Sequence, residues 1–440
     1  MSGVSDPTAR RLDLLLARAQ HDGRLPTVAA GVVRDGSLVW TSALSALDGF
    51  ETGPHVQYRI GSITKTLVAV LVLQLRDEGR LDLNDPLERH LPGVAYGDRR
   101  LRDLLAHSTG MHSEPAGAWW ERSPGVSFDD LAASLEDADA PFAAGETFHY
   151  SNAGFALLGE VVARHRGTGW WAQVQQRVLE PLGMARTSYL PQPPHATGWS
   201  VHHFANTLTA EPAHDARAMA PAGQAWSTVE DLARYAGFLL EGHDEVLSRS
   251  TLEEMATAQS GARDSALAAA HGLGLQLSRA GSGMLLGHTG SMPGFLAGLF
   301  VDPVRRTGAV VVANATVGLR PEAFCVELLE TLEECEGTLP RPWRPVADVP
   351  VPVQEVLGLW HWGNTAHAFS WTGREVEVTR LATGGRVFAF LPQPDGTFLG
   401  TAGYHHGERL RVVRNDDGSV SHLVCETFVY TREPYDPSAG

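Results

Sequence analysis

The sequence contains almost no lysine. Its 35 lysine and arginine residues include a single lysine, Lys65, so arginine supplies every other basic side chain. An arginine is effectively never deprotonated, whereas a desolvated lysine can lose its proton and act as a base. The lone lysine therefore marks a position where a guanidinium could not substitute, and Lys65 becomes the first candidate for a general base.

Cysteine is also scarce. The three cysteines, Cys325, Cys335 and Cys425, are an odd number in no metal or redox spacing, which predicts free thiols in a reducing compartment. The first 25 residues carry charges throughout and lack the uninterrupted apolar stretch of a secretory signal. These two observations together predict a cytoplasmic location.

The chain also lacks a net positive charge. The net charge is −16 and no basic block offsets it, which argues against nucleic acid or an anionic membrane as a partner. The apolar run after Ser62 is too short to span a membrane. With 43% hydrophobic residues, the composition is that of an ordinary globular protein, and a length of 440 residues predicts two domains.

The segment around Lys65 is the most informative part of the chain. It reads SITKTLVAVLVLQLRDEGR from Ser62, has no helix breaker before Gly79, and is apolar on nearly every face, which predicts a buried helix. Residues three apart share a helix face, so Ser62 and Lys65 would be neighbours at its amino end. A serine nucleophile needs such a base. The alternative, a capping Ser62 and a solvated Lys65, fits a helix this apolar poorly.

Two further clusters carry polar side chains of catalytic type. Tyr150-Ser151-Asn152 precedes an apolar helical run, where a serine or asparagine is the ordinary N-cap. Capping does not explain Tyr150, whose phenol could shuttle a proton if a nearby lysine lowered its pKa. The second cluster, at the end of a predicted strand, reads HTGS over residues 288–291. Neither cluster is specific when taken alone.

In this order, S-x-x-K, Y-S-N and H-T-G resemble the signature of the serine β-lactamase and penicillin-binding-protein superfamily, which is S-x-x-K, S-D-N and K-T-G. The Y-S-N form is similar to the class C branch, which includes D-aminopeptidases, DD-carboxypeptidases and family VIII-type esterases. The resemblance covers about residues 10–335 and extends to LRDLLAHSTGM and GHTGSMPGF.

The resemblance implies a role for each matched residue. Ser62 would be the acylated nucleophile, Lys65 the base that deprotonates it, and Tyr150 the proton shuttle to the leaving group. The backbone N–H groups of Ser62 and Ser291 would form the oxyanion hole. The residues that would face the substrate are Asn152, His288, Thr289 and Gly290. No cofactor or metal is implied.

The resemblance also implies an α+β architecture, the β-lactamase-like fold, in which an antiparallel sheet flanked by helices lies beside an all-α lobe. The residues agree with it. Strand signals at 27–33 and 38–41 flank the hairpin signal Asp35-Gly36, and others follow at 271–277, 284–288, 295–301 and 309–314. The predicted domains are residues 1–338, a proline-rich linker over 339–353, and a small antiparallel β domain, barrel or lipocalin-like, over 354–435.

The predicted function is a serine hydrolase that forms an acyl-enzyme and cleaves a small ester or a D-amino-acid-containing amide. Two alternatives stay open: a class C-type β-lactamase or DD-carboxypeptidase, which would need export, and a catalytically inert binding protein. His288 stands where the family usually has lysine. The exchange removes a permanent positive charge at neutral pH and weakens the β-lactamase identity. A homo-oligomer is compatible with the sequence.

The histidine pairs 202–203 and 405–406 raise the question of a metal. No carboxylate–histidine spacing accompanies them, and adjacent residues of a strand point to opposite sides. They are interpreted as surface or loop histidines.

Overall fold

The structure is a computed structural model that describes residues 3–50, 52–136, 140–261, 265, 268–281, 283–337 and 342–435. The chain divides into two compact units, Met1–Thr338 and Leu339–Gly440. Within the described residues, no helix combines the length and the apolar composition that a bilayer-spanning segment requires.

The first unit mixes helices and strands. Its helices are α1 Asp6–Gly23, α2 Thr64–Asp77, α3 Leu101–Leu105, α4 Phe128–Ala133, α5 Asn152–Arg166, α6 Trp170–Val174, α7 Val229–Glu241, α8 Arg249–Met255 and α9 Pro321–Glu336. Its strands are β1 Thr27–Arg34, β2 Ser37–Ser45, β3 Tyr58–Arg59, β4 Trp199–Val201, β5 Leu208–Ala210, β6 Trp226–Ser227, β7 Ala269–His271, β8 Gln276–Ala280, β9 Gly283–Met292, β10 Phe295–Asp302 and β11 Thr307–Ala313.

Seven of these strands form one antiparallel sheet in the order β2-β1-β11-β10-β9-β8-β7. Successive strand residues face opposite sides. In β1, Ala29 and Val33 join the core that contains α2 and α7, whereas Val28 and Val32 join the core that contains α1 and α9. The sheet is therefore flanked by helices and is built from both ends of the unit, which confirms the predicted α+β, β-lactamase-like fold.

The tight turn between β1 and β2 lies where the sequence predicts it. Asp35 and Gly36 have φ angles of 47° and 72°, the left-handed backbone that a two-residue hairpin turn requires. The single strand predicted over 271–277 is wrong. The chain turns there, with the Gly272 N–H donating to the Leu275 carbonyl at 2.9 Å and Gly274 at φ 78°. The turn divides the segment between β7 and β8.

Helix α2 is the core of the helical lobe. Every residue from Thr64 to Leu75 is buried, as expected for a helix that is apolar on all faces. The predicted helix started at Ser62. Instead, residues Gly61–Ile63 form a 3-10 turn and the α-helix begins at Thr64. Ser62 thus lies in a tighter turn at the entrance of the helix.

The second unit is a closed eight-stranded barrel preceded by helix α10, Val351–Val356. Its strands are β12 Gly358–Trp362, β13 Thr365–Trp371, β14 Val376–Arg380, β15 Arg386–Pro392, β16 Phe398–Ala402, β17 Arg409–Arg414, β18 Val420–Cys425 and β19 Phe428–Thr431. The structure therefore contains the small carboxy-terminal β domain that the turn signals predict. The end of the predicted linker is helical, because α10 begins at Val351. The buried Trp360 indole donates a hydrogen bond to the Val356 carbonyl at 2.7 Å and so attaches this helix to the barrel.

The histidine pairs do not all lie at the surface. His202, His203 and His406 are exposed, whereas His405 is completely buried. The prediction of surface or loop histidines holds for His405 only in its second form, because His405 lies in the connection between β16 and β17 and its side chain is buried.

Candidate active site

The turn that carries Ser62 lies directly against strand β9. Gly61 has φ 51°, and a Cβ added to it would lie 2.5 Å from the Ser291 backbone nitrogen. On the strand side, a Cβ on Gly290 would overlap the Ile60 carbonyl oxygen. Only glycine permits so close an approach of two backbones. The two glycines let the backbone that carries Ser62 come into close contact with the backbone that carries Ser291.

Lys65 is fully buried one turn beyond Ser62. Its Nζ lies 2.9 Å from Ser62 Oγ, 2.7 Å from Asn152 Oδ1 and 2.6 Å from the Ala222 carbonyl oxygen. A neutral amine has two N–H donors and one lone pair. Because a carbonyl or amide oxygen can only accept, those two oxygens take the N–H groups and leave the lone pair for the Ser62 hydroxyl. The contacts suit an amine that takes a proton from Ser62.

Asn152 has a fixed orientation in this network. Its Nδ2 donates to Glu114 Oε1 at 2.5 Å, and a carboxylate only accepts. The amide oxygen must therefore face Lys65. The resemblance implies that Asn152 contacts the substrate, and in the structure it also holds the lysine.

The electrostatics of the site favour a neutral lysine. Burial lowers the pKa of Lys65 to about 7, because a charged ammonium is disfavoured away from water. The carboxylates of Glu114 and Glu121 oppose this shift. A substantial part of the Lys65 population is therefore unprotonated at neutral pH, which an arginine would not achieve.

Tyr150 approaches the same lysine with its ring. The Lys65 Nζ lies 4.9 Å from the ring centre, and the phenol hydroxyl is buried without a hydrogen bond of good geometry to the described residues. Burial raises the pKa of Tyr150, and the nearby Ser62 hydroxyl opposes the rise only in part. The sequence analysis required a nearby lysine to lower the pKa of Tyr150, and that expectation is therefore wrong. Tyr150 is a protonated phenol suited to donate a proton.

His288 is a buried, neutral residue. Burial, together with the charge of Lys65, lowers the pKa of His288 to about 3, and its Nδ1–H donates to the Thr289 carbonyl at 2.5 Å. Its ring centre lies 6.1 Å from that of Tyr150. The position where the family usually has lysine thus carries no charge here. The Thr289 hydroxyl donates to Gln276 Oε1 at 3.2 Å.

Sequence reasoning missed His107, whose ring stacks on that of Tyr150. The two rings stack at a centroid distance of 4.2 Å, and His107 Nδ1 accepts the Ser151 N–H at 3.0 Å. Burial holds the pKa of His107 well below its usual value, so the ring is neutral and its proton lies on Nε2. The available signal was the LRDLLAHSTGM segment, which contains this histidine.

Glu114 and Glu121 were also missed. Glu114 accepts hydrogen bonds from Asn152 and from the Trp120 indole at 2.7 Å, and Glu121 accepts one from the Trp119 indole at 3.0 Å. Burial, and the neighbouring Glu114 charge, raise the pKa of Glu121. Both residues lie in an irregular segment without hydrophobic periodicity, which gives sequence analysis no face on which to place them.

The lowered pKa of Lys65 predicts that the first chemical step depends on pH. Protonated Lys65 cannot accept the Ser62 proton, so kcat/KM for a p-nitrophenyl ester is expected to rise with pH through about 7 and then level off. His288 and His271, with pKa values lowered by burial to about 3 and about 4, stay neutral across this range. Initial rates between about pH 5 and 9 measure the profile. A rate that is flat or falls through pH 7 contradicts this assignment.

The antiparallel sheet, the helical lobe and the S-x-x-K turn between them define a β-lactamase-like protein. Residues 12–329 match the family model described as Beta-lactamase, and the chain belongs to that family. Residues 349–432 match a second family, described as a domain of unknown function, DUF7586.

Relatives and solved structures match this chain at low sequence identity. Beta-lactamase-like protein 2 of Dictyostelium discoideum is 27% identical over an alignment of 280 positions that covers 57% of this chain and 50% of that protein. The chain thus spans about half the length of the curated relative that it matches. Among solved structures, a D-stereospecific amidohydrolase from Streptomyces sp. is 26% identical, with a TM-score of 0.62 over 75% of this chain and 99% of the other.

A second solved structure extends the likeness to nearly the whole chain. The octameric penicillin-binding protein homologue from Pyrococcus abyssi is 20% identical, with a TM-score of 0.64 over 97% of this chain and 100% of the other. At this identity the likeness shows the fold alone.

Proposed function

We propose that this protein is a serine hydrolase that forms an acyl-enzyme on Ser62 and cleaves amides of D-amino acids with a free amino group, or small esters of similar shape. The observation that carries the proposal is the 2.9 Å contact between Ser62 Oγ and the buried Lys65 amine, whose pKa is about 7. A nucleophile and a base within hydrogen-bond reach are the signature of nucleophilic catalysis.

The reaction begins with the Ser62 hydroxyl. Lys65 takes its proton while Oγ bonds to the substrate carbonyl carbon, and the oxygen that becomes negative is stabilised by the Ser62 and Ser291 N–H groups. As the intermediate collapses, Tyr150 donates its proton to the leaving nitrogen or oxygen, and Lys65 returns the proton it holds to Tyr150. Water then attacks the acyl-enzyme with the same groups acting in reverse order.

The charge around the site favours a substrate with an ammonium group. Glu114 and Glu121 place two carboxylates beside Lys65, and His288 is neutral where a lysine would attract a carboxylate. The neighbouring Arg122 is paired with Glu211 at 2.6 Å. An amino-acid amide complements these charges better than a β-lactam carboxylate does. The name of the Streptomyces neighbour, a D-stereospecific amidohydrolase, supports this substrate class.

The test compares D-phenylalanine p-nitroanilide with its N-acetyl derivative and its L enantiomer. We expect the free D-amine to have the highest kcat/KM. Glu114→Gln is expected to lower kcat/KM for the free amine by about tenfold or more, because a charge-assisted hydrogen bond contributes about 1.5–3 kcal/mol. The same variant should leave the N-acetyl compound within about threefold, since that substrate has no ammonium. The amide oxygen of glutamine can still accept the hydrogen bond from Asn152 Nδ2, so the orientation of Asn152 towards Lys65 is kept.

Glu160→Gln is the matched control, because Glu160 is a carboxylate of α5 that forms its ion pair with Arg164, at 3.0 Å. It should leave both rates unchanged. Equal losses for both substrates would contradict the role of Glu114. Preferred turnover of nitrocefin would favour the β-lactamase alternative, and no turnover of any substrate would favour the binding protein.

A further inference from the structure

Three side chains with metal-ligating atoms meet in the barrel unit. His405 Nδ1 lies 2.6 Å from Glu408 Oε2, and Cys425 Sγ lies 3.6 Å from the same oxygen. The three atoms lie within 4.8 Å of one another, and both His405 and Cys425 are completely buried. Across the described part of the chain, no other trio of histidine, cysteine or carboxylate side chains comes this close.

The topology of the barrel brings the three residues together. His405 and Glu408 lie in the connection between β16 and β17, and Cys425 is the last residue of β18. Because Leu410 pairs with Cys425 across β17 and β18, the connection and the β18–β19 hairpin meet at the same end of the barrel. A bound ion would join these two loops.

The connection that carries His405 and Glu408 is held in shape without any ion. The Gly400 N–H donates to the Glu408 carbonyl at 2.8 Å, and the Gly407 N–H donates to the Gly400 carbonyl at 2.9 Å. A Cβ on Gly400 would overlap the His405 carbonyl oxygen, so the turn packs on a glycine. Two ligands three residues apart on a rigid turn are organised before an ion arrives.

The Tyr430 hydroxyl can hydrogen-bond to either tautomer of His405, and metal binding at Nδ1 requires a change of tautomer. It lies 3.0 Å from His405 Nε2 and can donate to that nitrogen or accept from it. Without a metal, Nδ1–H donates to Glu408 and the hydroxyl donates to Nε2. With a metal, Nε2–H donates to the hydroxyl and Nδ1 presents its lone pair. A metal-bound histidine typically donates its other N–H in this way.

We propose that His405 Nδ1, Glu408 and Cys425 Sγ bind a divalent transition metal ion, Zn²⁺, at this end of the barrel. One thiolate, one imidazole and one carboxylate are the ligand types of zinc and exclude magnesium and calcium. Glu408 is 33% exposed, so its side chain can shift to admit the ion and water can take the fourth position. The Cys425 thiol proton passes to solvent. The imidazole proton of His405 moves from Nδ1 to Nε2 by exchange with solvent, so binding releases one proton in all. This site is independent of the hydrolase proposed above.

The first experiment adds Co²⁺ to the full chain after chelation, with cobalt as the spectroscopic probe for zinc. We expect a thiolate-to-cobalt charge-transfer band that saturates at one equivalent and disappears when Zn²⁺ is added. Zn²⁺ should also raise the Tm of the barrel, because an ion that binds only the folded state stabilises it. Absence of the band from folded protein overturns the proposal.

Cys425→Ser is expected to abolish the charge-transfer band. Cys335→Ser is the matched control, since Cys335 lies on α9 in the other unit and should leave the band intact. A band that survives Cys425→Ser, or that is lost in Cys335→Ser, overturns the assignment of the ligands. If Cys425→Ser fails to fold, Tyr430→Phe tests the same site through its affinity for cobalt. It leaves all three ligands in place and should weaken cobalt binding about 10–100-fold, and unchanged affinity contradicts the site.

Discussion

Lys65→Arg is expected to lower kcat/KM by at least about 10³-fold and to leave the protein folded. The guanidinium keeps its proton at every accessible pH, so it cannot accept the proton of Ser62. It is also larger than the space between Ser62 Oγ, Asn152 Oδ1 and the Ala222 carbonyl, which lie 2.6–2.9 Å from the present Nζ. Initial rates on the best ester measure the loss, and circular dichroism checks the fold.

Arg164→Lys provides the matched control. It makes the reverse exchange on α5, where Arg164 forms an ion pair with Glu160 and lies over the Phe128 ring, and it should leave the rate unchanged. The pH profile separates the two explanations for a loss in Lys65→Arg. A missing base removes the rise through pH 7, whereas a merely distorted site lowers the whole curve and keeps its shape. A rate near that of the unchanged protein would remove the base from the mechanism.

The contact between Ser62 and Lys65 could be predicted because it is local. Residues three apart on a helix are neighbours whatever the rest of the chain does. The three-residue spacing predicted the contact between Ser62 and Lys65 even though the turn at Gly61–Ile63 is 3-10 rather than α-helical. The remaining partners of Lys65, Asn152 and Ala222, are 87 and 157 residues away. The Y-S-N motif indicated the first, and no side-chain pattern can indicate a backbone carbonyl such as the second.

The error on Tyr150 has a different physical origin. The direction of a pKa shift depends on whether burial or a neighbouring charge dominates. The sequence indicates that a lysine is near, but it does not indicate that the phenol hydroxyl is buried or that Glu114 and Glu121 lie beside it. The burial of His405 was missed for the same reason, because its environment is created by barrel strands distant in sequence.

The fold was predictable where the signal lies within a few residues. Asp35-Gly36 fixed one hairpin, since both residues have the left-handed backbone of a two-residue turn. The barrel was predicted as a type of domain, and the structure confirms it. The pairing that closes it, between His361 in β12 and Thr431 in β19, was not predictable, because no local pattern indicates which strands join.

Ser62→Ala is expected to have an effect as large as Lys65→Arg, and it tests the nucleophile directly. Intact mass after exposure to a small fluorophosphonate should show one adduct on the unchanged protein and none on Ser62→Ala, with kcat for the best ester lowered by at least about 10³-fold. The oxygen that Lys65 deprotonates is the one that the variant removes, so no second group can take its place.

Ser113→Ala is the control of the same chemical type. The Ser113 hydroxyl lies 3.1 Å from His149 Nε2 near the same loop, and it has no contact with Lys65 that would activate it. This variant should keep both the adduct and the rate. An adduct that persists in Ser62→Ala would identify a different nucleophile. Absence of an adduct from folded, unchanged protein would mean that the amine at Lys65 does not activate its serine, and the inert binding protein would become the better description.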